Sequence, residues 1–566
     1  MREAKETKAQ RIERLKQEKL AWDHLDEIRE FAQNGRASVP PEWLGTYFRS
    51  WGIYTQGDGT GVVGGSNGEG KATEFFMVRV HIPNGILTSD QVRVLADLSE
   101  RYGRGIADIT VRQNLQLHWV TIEAIPDLIE KLQAAGLTTV GACGDVLRNV
   151  TGCPVAGLAA DEHFDASPLA LAVDRALGGN REFYNLPRKF KMTVTGCRSW
   201  CSYPEINDVA FTPVRRNRNG VVEDGFSIRI GGGLSTEPHI AVKLDAFVPQ
   251  DEVVQVARGV AEIFRSSEVL RHSREQARLK YLFLKHGWTA ASFLAELNSV
   301  LGYSLDRGEG EEIPSDIHRN HTGIHRQKQA GLLFIGASVL RGRITPAQLR
   351  RAAQLADEYG DGSLRATVQQ NLLLANIREE HATTVAAELT RAGLPVETGA
   401  FARGTIACTG SEFCKLALTE TKGFARWLST ELDDRLPGFA EQIKLHVTGC
   451  PNSCGQHWIA DIGIEGKKIK SDGKMVDAYY FCVGGSVGHF ASIARPVGYR
   501  CAATDVPDAI ERLLLDFQEQ RNPNESLRAF LARNSNEQIR AILAGEHVGA
   551  VERDLPVERA PIGVEG

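Results

Sequence analysis

The sequence predicts an internally duplicated α/β (α+β) protein whose two halves pack about a pseudo-twofold axis. Three observations carry that expectation. Val194-Thr-Gly-Cys-Arg-Ser-Trp-Cys201 returns as Val447-Thr-Gly-Cys-Pro-Asn-Ser-Cys454. The octet Thr-Val-x-Gln-Asn-Leu-x-Leu occurs at Thr110 and again at Thr367. The order strand, helix, strand, helix is followed both times by a longer α/β segment. The offset stays near 253–257 residues, read directly from these matches, which is far beyond any solenoid period.

Taken in order, residues 1–35 are dense in Lys, Arg and Glu and read as a solvated helix that docks on the body or frays. Residues 55–72 are glycine-rich, but no Lys-Ser/Thr follows in P-loop fashion, so they read as a surface loop. Phe75–Ile82 alternates as a strand. Thr88 with Gln91 has the form of a capping box, opening a helix that ends near Tyr102. Ile109–Val120 reads as one strand and residues 125–136 as a helix. In the second half Leu332–Gly336 is a strand, Thr345-Pro346 opens a helix with proline just inside its start, and Leu364–Ile377 is a strand. The acidic, Pro314-containing stretch near residues 305–320 is the expected hinge between halves.

Composition narrows the function classes. The chain has 566 residues, 42% hydrophobic and 24% charged, with a formal net charge of -5. That balance fits a soluble protein of several domains and gives no electrostatic footprint for nucleic acid. No run of apolar residues is long enough to span a membrane. The acidic residues and missing apolar core of residues 1–35 argue against an export or transit signal. Ten cysteines without such a signal point to a reducing, cytoplasmic setting, where clustered thiols bind metals more often than they form disulfides.

Four cysteines form such a cluster: Cys408-x5-Cys414, a gap of 35 residues, then Cys450-x3-Cys454. Two close pairs suit one soft metal centre, either zinc or a [4Fe-4S] cluster, and the five-residue gap fits zinc less well. A zinc-stabilised binding protein without redox chemistry is therefore the reading from another class. Cys143, Cys153, Cys197 and Cys201 echo the motif, but nine residues separate the first two, so they read as relic core cysteines. Cys482 and Cys501 have no partner pattern.

With the duplication, the four-cysteine spacing and His325-Arg-Gln-Lys-Gln-Ala-Gly331 in hand, residues 40–545 resemble the ferredoxin-dependent nitrite reductases and assimilatory sulfite reductases. The resemblance implies five segments: an N-terminal extension 1–40, a ferredoxin-like half-domain 41–140, a sirohaem-binding domain 141–310, a second ferredoxin-like half-domain 311–398, and a [4Fe-4S]/sirohaem domain 399–566. It implies that Cys408, Cys414, Cys450 and Cys454 hold a [4Fe-4S] cluster and that Cys454 bridges to the iron of sirohaem. It assigns Arg112, Arg148, Lys189 and Lys191 to a basic pocket for the substrate anion. Gln113, Asn114 and the turns at Gly231, Gly232, Gly233, Gly484 and Gly485 are assigned to the cofactor. The implied reaction is six-electron reduction of nitrite to ammonium, as in nitrate assimilation. Lys191 pulls toward sulfite, because nitrite-reducing members usually carry asparagine there. Reduced ferredoxin is the implied donor, with the basic runs Arg215–Arg218 and Arg341–Arg351 as docking candidates. Tyr54 matches the tyrosine that some sulfite-reducing relatives join to a cysteine, but that cysteine position is Val146 here, so no link is expected.

Overall fold

The computed structural model describes residues 6–57, 74–218, 220–308, 319–471 and 473–546. The glycine-rich stretch and the expected hinge lie largely outside them. Four sheets organise the chain. In the first, strands Ile53–Thr55, Phe76–Val80, Leu115–Val120 and Ala107–Ile109 are joined by Arg343–Ile344 from the second half. In its counterpart, Gly323–Arg326, Leu332–Ala337, Leu372–Arg378 and Ser363–Ala366 are joined by Ile86–Thr88 from the first half. Each half thus lends an antiparallel strand to the other. One apolar core runs continuously under both sheets, from Val78 and Leu117 to Ile335 and Leu374.

The lent strands are short because a helix starts immediately after each. Thr88 Oγ1 accepts the Gln91 amide while the Gln91 side chain accepts the Thr88 amide, and Thr345 and Gln348 do the same with Pro346 at the first turn. Such reciprocal caps satisfy orphan amides at about 1 kcal/mol each. The two capped helices, Ser89–Tyr102 and Pro346–Tyr359, then pack on each other across the pseudo-twofold.

The sequence expectation of one strand over Ile109–Val120 is corrected. The chain turns at residues 110–114, Gln113 has φ of 58°, and two strands pair antiparallel across the turn. The repeat does the same at Gln370, with φ of 65°. The period-2 pattern continues through the turn because the turn residues are themselves buried. The Gln113 side chain donates to the Asn84 and Ala366 carbonyls at 3.0 and 3.1 Å, and that of Gln370 donates to the Ile109 carbonyl at 3.0 Å. These glutamines are reciprocal ties between halves.

The remaining two sheets carry the larger units. Met192–Val194, Val209–Arg218, Val221–Ile230 and Val242–Pro249 form one. Thr405–Ala407, Leu445–Thr448, Ile462–Ser471, Lys474–Val483 and Arg495–Ala502 form the other. In both, the opening strands run parallel and the long hairpin after them is antiparallel.

Residues 6–35 dock on the body, one of the two expected outcomes, but as two helices rather than one, Lys8–Glu18 and Leu25–Asn34, held through Leu15, Ile28 and Phe31. Lys16 is buried too, 2.6 Å from Glu13 and donating to the Leu186 carbonyl at 2.8 Å, so its charge is part of the packing.

Candidate functional site

Both cysteine pairs leave the C-terminal ends of adjacent parallel strands. Cys408 follows Thr405–Ala407, and Cys450 lies two residues past Leu445–Thr448. That edge is where ligands collect in α/β sheets. The four thiols lie near enough to act on one another electrostatically. Burial pushes the thiols of Cys414 and Cys450 up to about 12, with the neighbouring Cys454 adding to it. Thiols this far from ionising on their own need a cation to become thiolates. Local donors prepare them for it: the Gly449 amide donates to Cys408 Sγ at 3.2 Å and the Asn452 amide to Cys450 Sγ at 3.6 Å. Cys454 is the one exposed thiol of the four.

Beside this edge lies a cavity of about 590 Å³, whose walls include Leu416 and Asn452 from the cysteine loops. Its lining holds eight lysines and arginines against two glutamates. Lys189 and Arg278 belong to it, as do Arg49, Arg188, Arg274 and Lys280. Lys8 and Arg11 of the first helix contribute as well. The extension that reads as solvated in the sequence is therefore one wall of the cavity.

Of the expected anion-pocket residues Lys189 lines this cavity, and Arg112, Arg148 and Lys191 cluster with it and Arg278. Lys189 and Lys191 flank Phe190 at the start of strand Met192–Val194, and Leu147 bridges Phe190 so that Arg148 comes alongside. Arg112 arrives from the first-half turn. Its guanidinium donates to Asn207 Oδ1 at 2.8 Å and to the Asn149 carbonyl at 2.6 Å, leaving Nε without a partner. Arg148 is held by the Gly144 and Ala142 carbonyls at 2.9 and 3.3 Å. Burial, then the Arg148 and Arg278 charges, bring Arg112 down to about 9 against the opposing effect of Asp208. Burial and Arg278 bring Lys189 down to about 7, and burial with Lys189 and Arg278 lowers Lys191. Cations that depress one another in this way would each be relieved by a bound anion.

Other expected residues serve the protein itself. Gln113 and Asn114 engage backbone groups, Asn114 Oδ1 accepting the Ile82 amide at 3.0 Å. A Cβ at Gly232 or Gly485 would lie 2.4 or 2.6 Å from a backbone carbonyl, and one at Gly233 would lie 2.9 Å from the Arg278 guanidinium. A Cβ at Gly231 would strike the Phe283 ring, so only Gly484 faces open space. The docking candidates are largely neutralised by internal pairs: Arg215 with Asp224, Arg216 and Arg218 with Asp306, Arg343 with Asp108, Arg350 with Asp97. Val146 is core, and Cys143 Sγ accepts from Arg79 at 3.0 Å.

Sequence reasoning missed Asp208 and Arg278, paired at 2.8 Å under the pocket, with Asp208 Oδ2 also accepting the Lys191 amide at 2.9 Å. The dense run Arg271…Arg274…Arg278-Leu-Lys280 was the available signal.

A thiol cluster at a strand edge, opening onto a strongly cationic cavity, defines a redox enzyme built around an iron–sulfur centre and a large anionic prosthetic group. The family description "Nitrite and sulphite reductase 4Fe-4S domain" matches residues 143–303 and 398–550. "Nitrite/Sulfite reductase ferredoxin-like half domain" matches 68–135 and 325–392. The chain belongs to the nitrite and sulfite reductase family, as an oxidoreductase. The ferredoxin–nitrite reductase of Synechococcus elongatus is 38% identical over 527 residues, covering 90% of this chain and 96% of that protein. The assimilatory ferredoxin-dependent nitrite reductase of Haloferax mediterranei is 35% identical over 539 residues, 89% of this chain and 88% of the other. A protein of Mycolicibacterium paratuberculosis named as the second ferredoxin-type sulfite reductase is 33% identical over 512 residues, covering 89% and 91%. The structure of the Mycobacterium tuberculosis NirA protein superposes with a TM-score of 0.87 at 33% identity, covering 94% of this chain and 97% of that one.

The cofactors are a [4Fe-4S] cluster and sirohaem, and the residues present fit both. Four thiols gathered at one strand edge, three of them desolvated, suit a cluster. The cationic lining suits a polycarboxylate tetrapyrrole, and the exposed thiol Cys454 is close enough to Lys189 of the lining to act on its charge. The reading as a zinc-stabilised protein without redox chemistry is set aside by the family. Among the described residues no helix is long and apolar enough to cross a membrane.

Proposed function

We propose that this chain reduces nitrite to ammonium with electrons from reduced ferredoxin in the cytoplasm. The balance is NO2⁻ + 6 e⁻ + 8 H⁺ → NH4⁺ + 2 H2O. Bound, the cluster and sirohaem supply the electron path and the metal atom that accepts the substrate. The carrying observation is that the Lys189 and Lys191 ammonium groups have neither a hydrogen bond nor an ion pair among the described residues, Lys189 lining a cavity short of anions and Lys191 standing within electrostatic reach of Lys189 and Arg278. In this reading both ammonium groups and the free Nε of Arg112 orient the substrate oxygens. The lysines hand protons to oxygen as it leaves as water, and Arg112 is kept in place by Asn207 and Asn149. Cys408, Cys414, Cys450 and Cys454 hold the cluster, Cys454 being the exposed one and within electrostatic reach of Lys189.

Lys191 favours a second reading, reduction of sulfite to sulfide, because a larger and more highly charged anion gains more from an added cation. The test is a steady-state comparison of kcat/KM for nitrite and sulfite with reduced ferredoxin or a reduced viologen. A higher value for nitrite supports the first reading, and a higher value for sulfite replaces it with the second. Lys191→Asn is expected to lower kcat/KM for sulfite by about 10- to 100-fold, the value of one charged hydrogen bond, and to lower that for nitrite less. An unchanged ratio removes Lys191 as selector.

A further inference from the structure

The first half keeps more of the cysteine motif than its spacing suggests. Thr151 pairs in parallel with Thr193, as Ile406 pairs with His446 on the equivalent strand. Cys153 lies two residues past Thr151 and Cys408 two past Ile406, so Cys153, and not Cys143, is the counterpart of Cys408. Cys197 and Cys201 are the counterparts of Cys450 and Cys454. The position matching Cys414 is Ala159. In the structure Ala159 forms a β-bridge with Gln327, and the Lys328 amide donates to the Leu158 carbonyl at 2.8 Å. The segment that opens the second half thus covers the place of the fourth cysteine, and it brings His321.

His321, Cys153 and Cys201 each offer a ligand atom, all within 4.8 Å of one another. Cys197 Sγ lies 3.2 Å from Cys201 Sγ, and Cys153 Sγ lies 3.9 Å from it. All four residues are buried, and neither ring nitrogen of His321 has a hydrogen-bond partner of regular geometry. A buried imidazole with both nitrogens unmet is costly. Its placement is nevertheless enforced: φ is 60°, and a Cβ on the facing Gly336 would lie 1.8 Å from the His321 carbonyl oxygen. Strained backbone held beside orphaned ligand atoms is a mark of a built site.

We propose that Cys153, Cys197, Cys201 and His321 form a second, structural metal site for a single tetrahedral zinc ion. Zinc–sulfur bonds of about 2.3 Å put ligand sulfurs about 3.8 Å apart, close to the Cys153–Cys201 separation. A cubane spreads its thiolates around four irons and needs a wider cage. Three thiolates and a neutral imidazole around a dication leave one negative charge. Arg319, which acts electrostatically on Cys197 and Cys201, stands beside it, and the Ser199 amide donates to Cys197 Sγ at 3.3 Å. Binding displaces the protons of the thiols into solvent and changes no oxidation state. The first half supplies three ligands and the second half one, so the ion fastens the two halves at the pseudo-symmetric image of the catalytic cluster.

The experiment uses the holoenzyme, purified anaerobically from zinc-supplied cells. Elemental analysis is expected to give about one zinc per chain beyond the cofactor iron. Zinc-edge X-ray absorption is expected to show about three sulfurs at 2.3 Å and one nitrogen near 2.0 Å. Cys201→Ser and His321→Ala should lose the zinc while retaining cofactor iron and the sirohaem absorbance. Cys414→Ser should keep the zinc. Zinc far below one per chain, zinc with only oxygen and nitrogen ligands, extra iron in its place, or zinc lost only in Cys414→Ser would each overturn the proposal. So would a Cys197–Cys201 disulfide in the anaerobic protein. Should the variants not fold, the absorption spectrum of the unaltered holoenzyme decides alone. None of these readouts depends on which anion the enzyme reduces.

Discussion

Replacing Cys454 by serine is expected to abolish six-electron turnover, a loss of at least about 10³-fold in kcat, while the chain still folds. Three features combine in that expectation. Cys454 is the only exposed member of the four-thiol group, so its loss opens no core cavity. Its charge is felt by Lys189 in the cavity wall, so it lies within electrostatic reach of the proposed anion pocket. A hydroxyl ionises far less readily than a thiol and is a poor ligand for a soft metal. The measurement is reductase activity with a viologen donor, beside visible absorbance and iron content. Circular dichroism should match the unaltered enzyme. A Cys454→Ser enzyme keeping more than a tenth of the activity would remove Cys454 from the electron path. Lys189→Ala should behave differently, retaining iron and colour while kcat/KM for the anion falls by about 10²-fold or more.

The second large effect falls on stability. Asp108 is wholly buried on the first-half strand Ala107–Ile109 and meets an imidazole and two cations from three directions. His118 Nε2 lies at 3.0 Å, Arg343 of the lent second-half strand at 3.0 Å, and Lys422 of helix Lys422–Arg435 at 3.6 Å. Burial alone would raise its carboxyl, but Lys422, His118 and Arg343 hold it well below the ordinary range. Asp108→Ala leaves Lys422 buried without its carboxylate, and Arg343 keeps only Glu412, at 2.9 Å. Breaking a buried pair on one side costs about 3–5 kcal/mol. Phe413, inside the first cysteine pair, stacks on His118 at 4.1 Å, so the cluster loop rests on the same network. Asp108→Ala should therefore lower the urea midpoint and hasten iron loss to a chelator. An unchanged midpoint would show the network to be replaceable.

The same groups set the acid response. Asp145 resembles Asp108: burial opposes, but Arg274, Lys16 and Arg188 prevail and depress its carboxyl. Carboxyls depressed on folding stabilise the protein above their unfolded pKa near 4, and that stability is lost as pH falls below it. Burial pushes His446 down to about 3, so it stays neutral in the fold, and its contribution is lost as pH falls below the unfolded value near 6.5. Stability should thus decline gently below about pH 6.5 and steeply below about pH 4. Asp108→Asn should flatten the steep limb in a pH series of denaturation midpoints.

Much of this was legible because it is written in short spacings. A capping box occupies four residues, and Thr88 with Gln91 forms as read. The cysteine pairs needed only two loops. The strand assignments failed where a turn was buried: Gln113 and Gln370 look like strand residues because their side chains satisfy backbone across the interface. The docking of the N-terminal segment was expected, but not the use of its charges, since the partners of Lys16 and the cavity beside Arg11 lie far along the chain.

The duplication and the four-cysteine motif could be read from the chain alone, because a repeated local pattern survives without coordinates. Only the tertiary structure decided which halves lend strands, that Arg278 and Asp208 underlie the pocket, and that Cys153 rather than Cys143 meets Cys201. His321 joins those thiols from more than a hundred residues away, across a pseudo-twofold packing. Such convergence depends on how two sheets share one core, and no spacing along the chain encodes it.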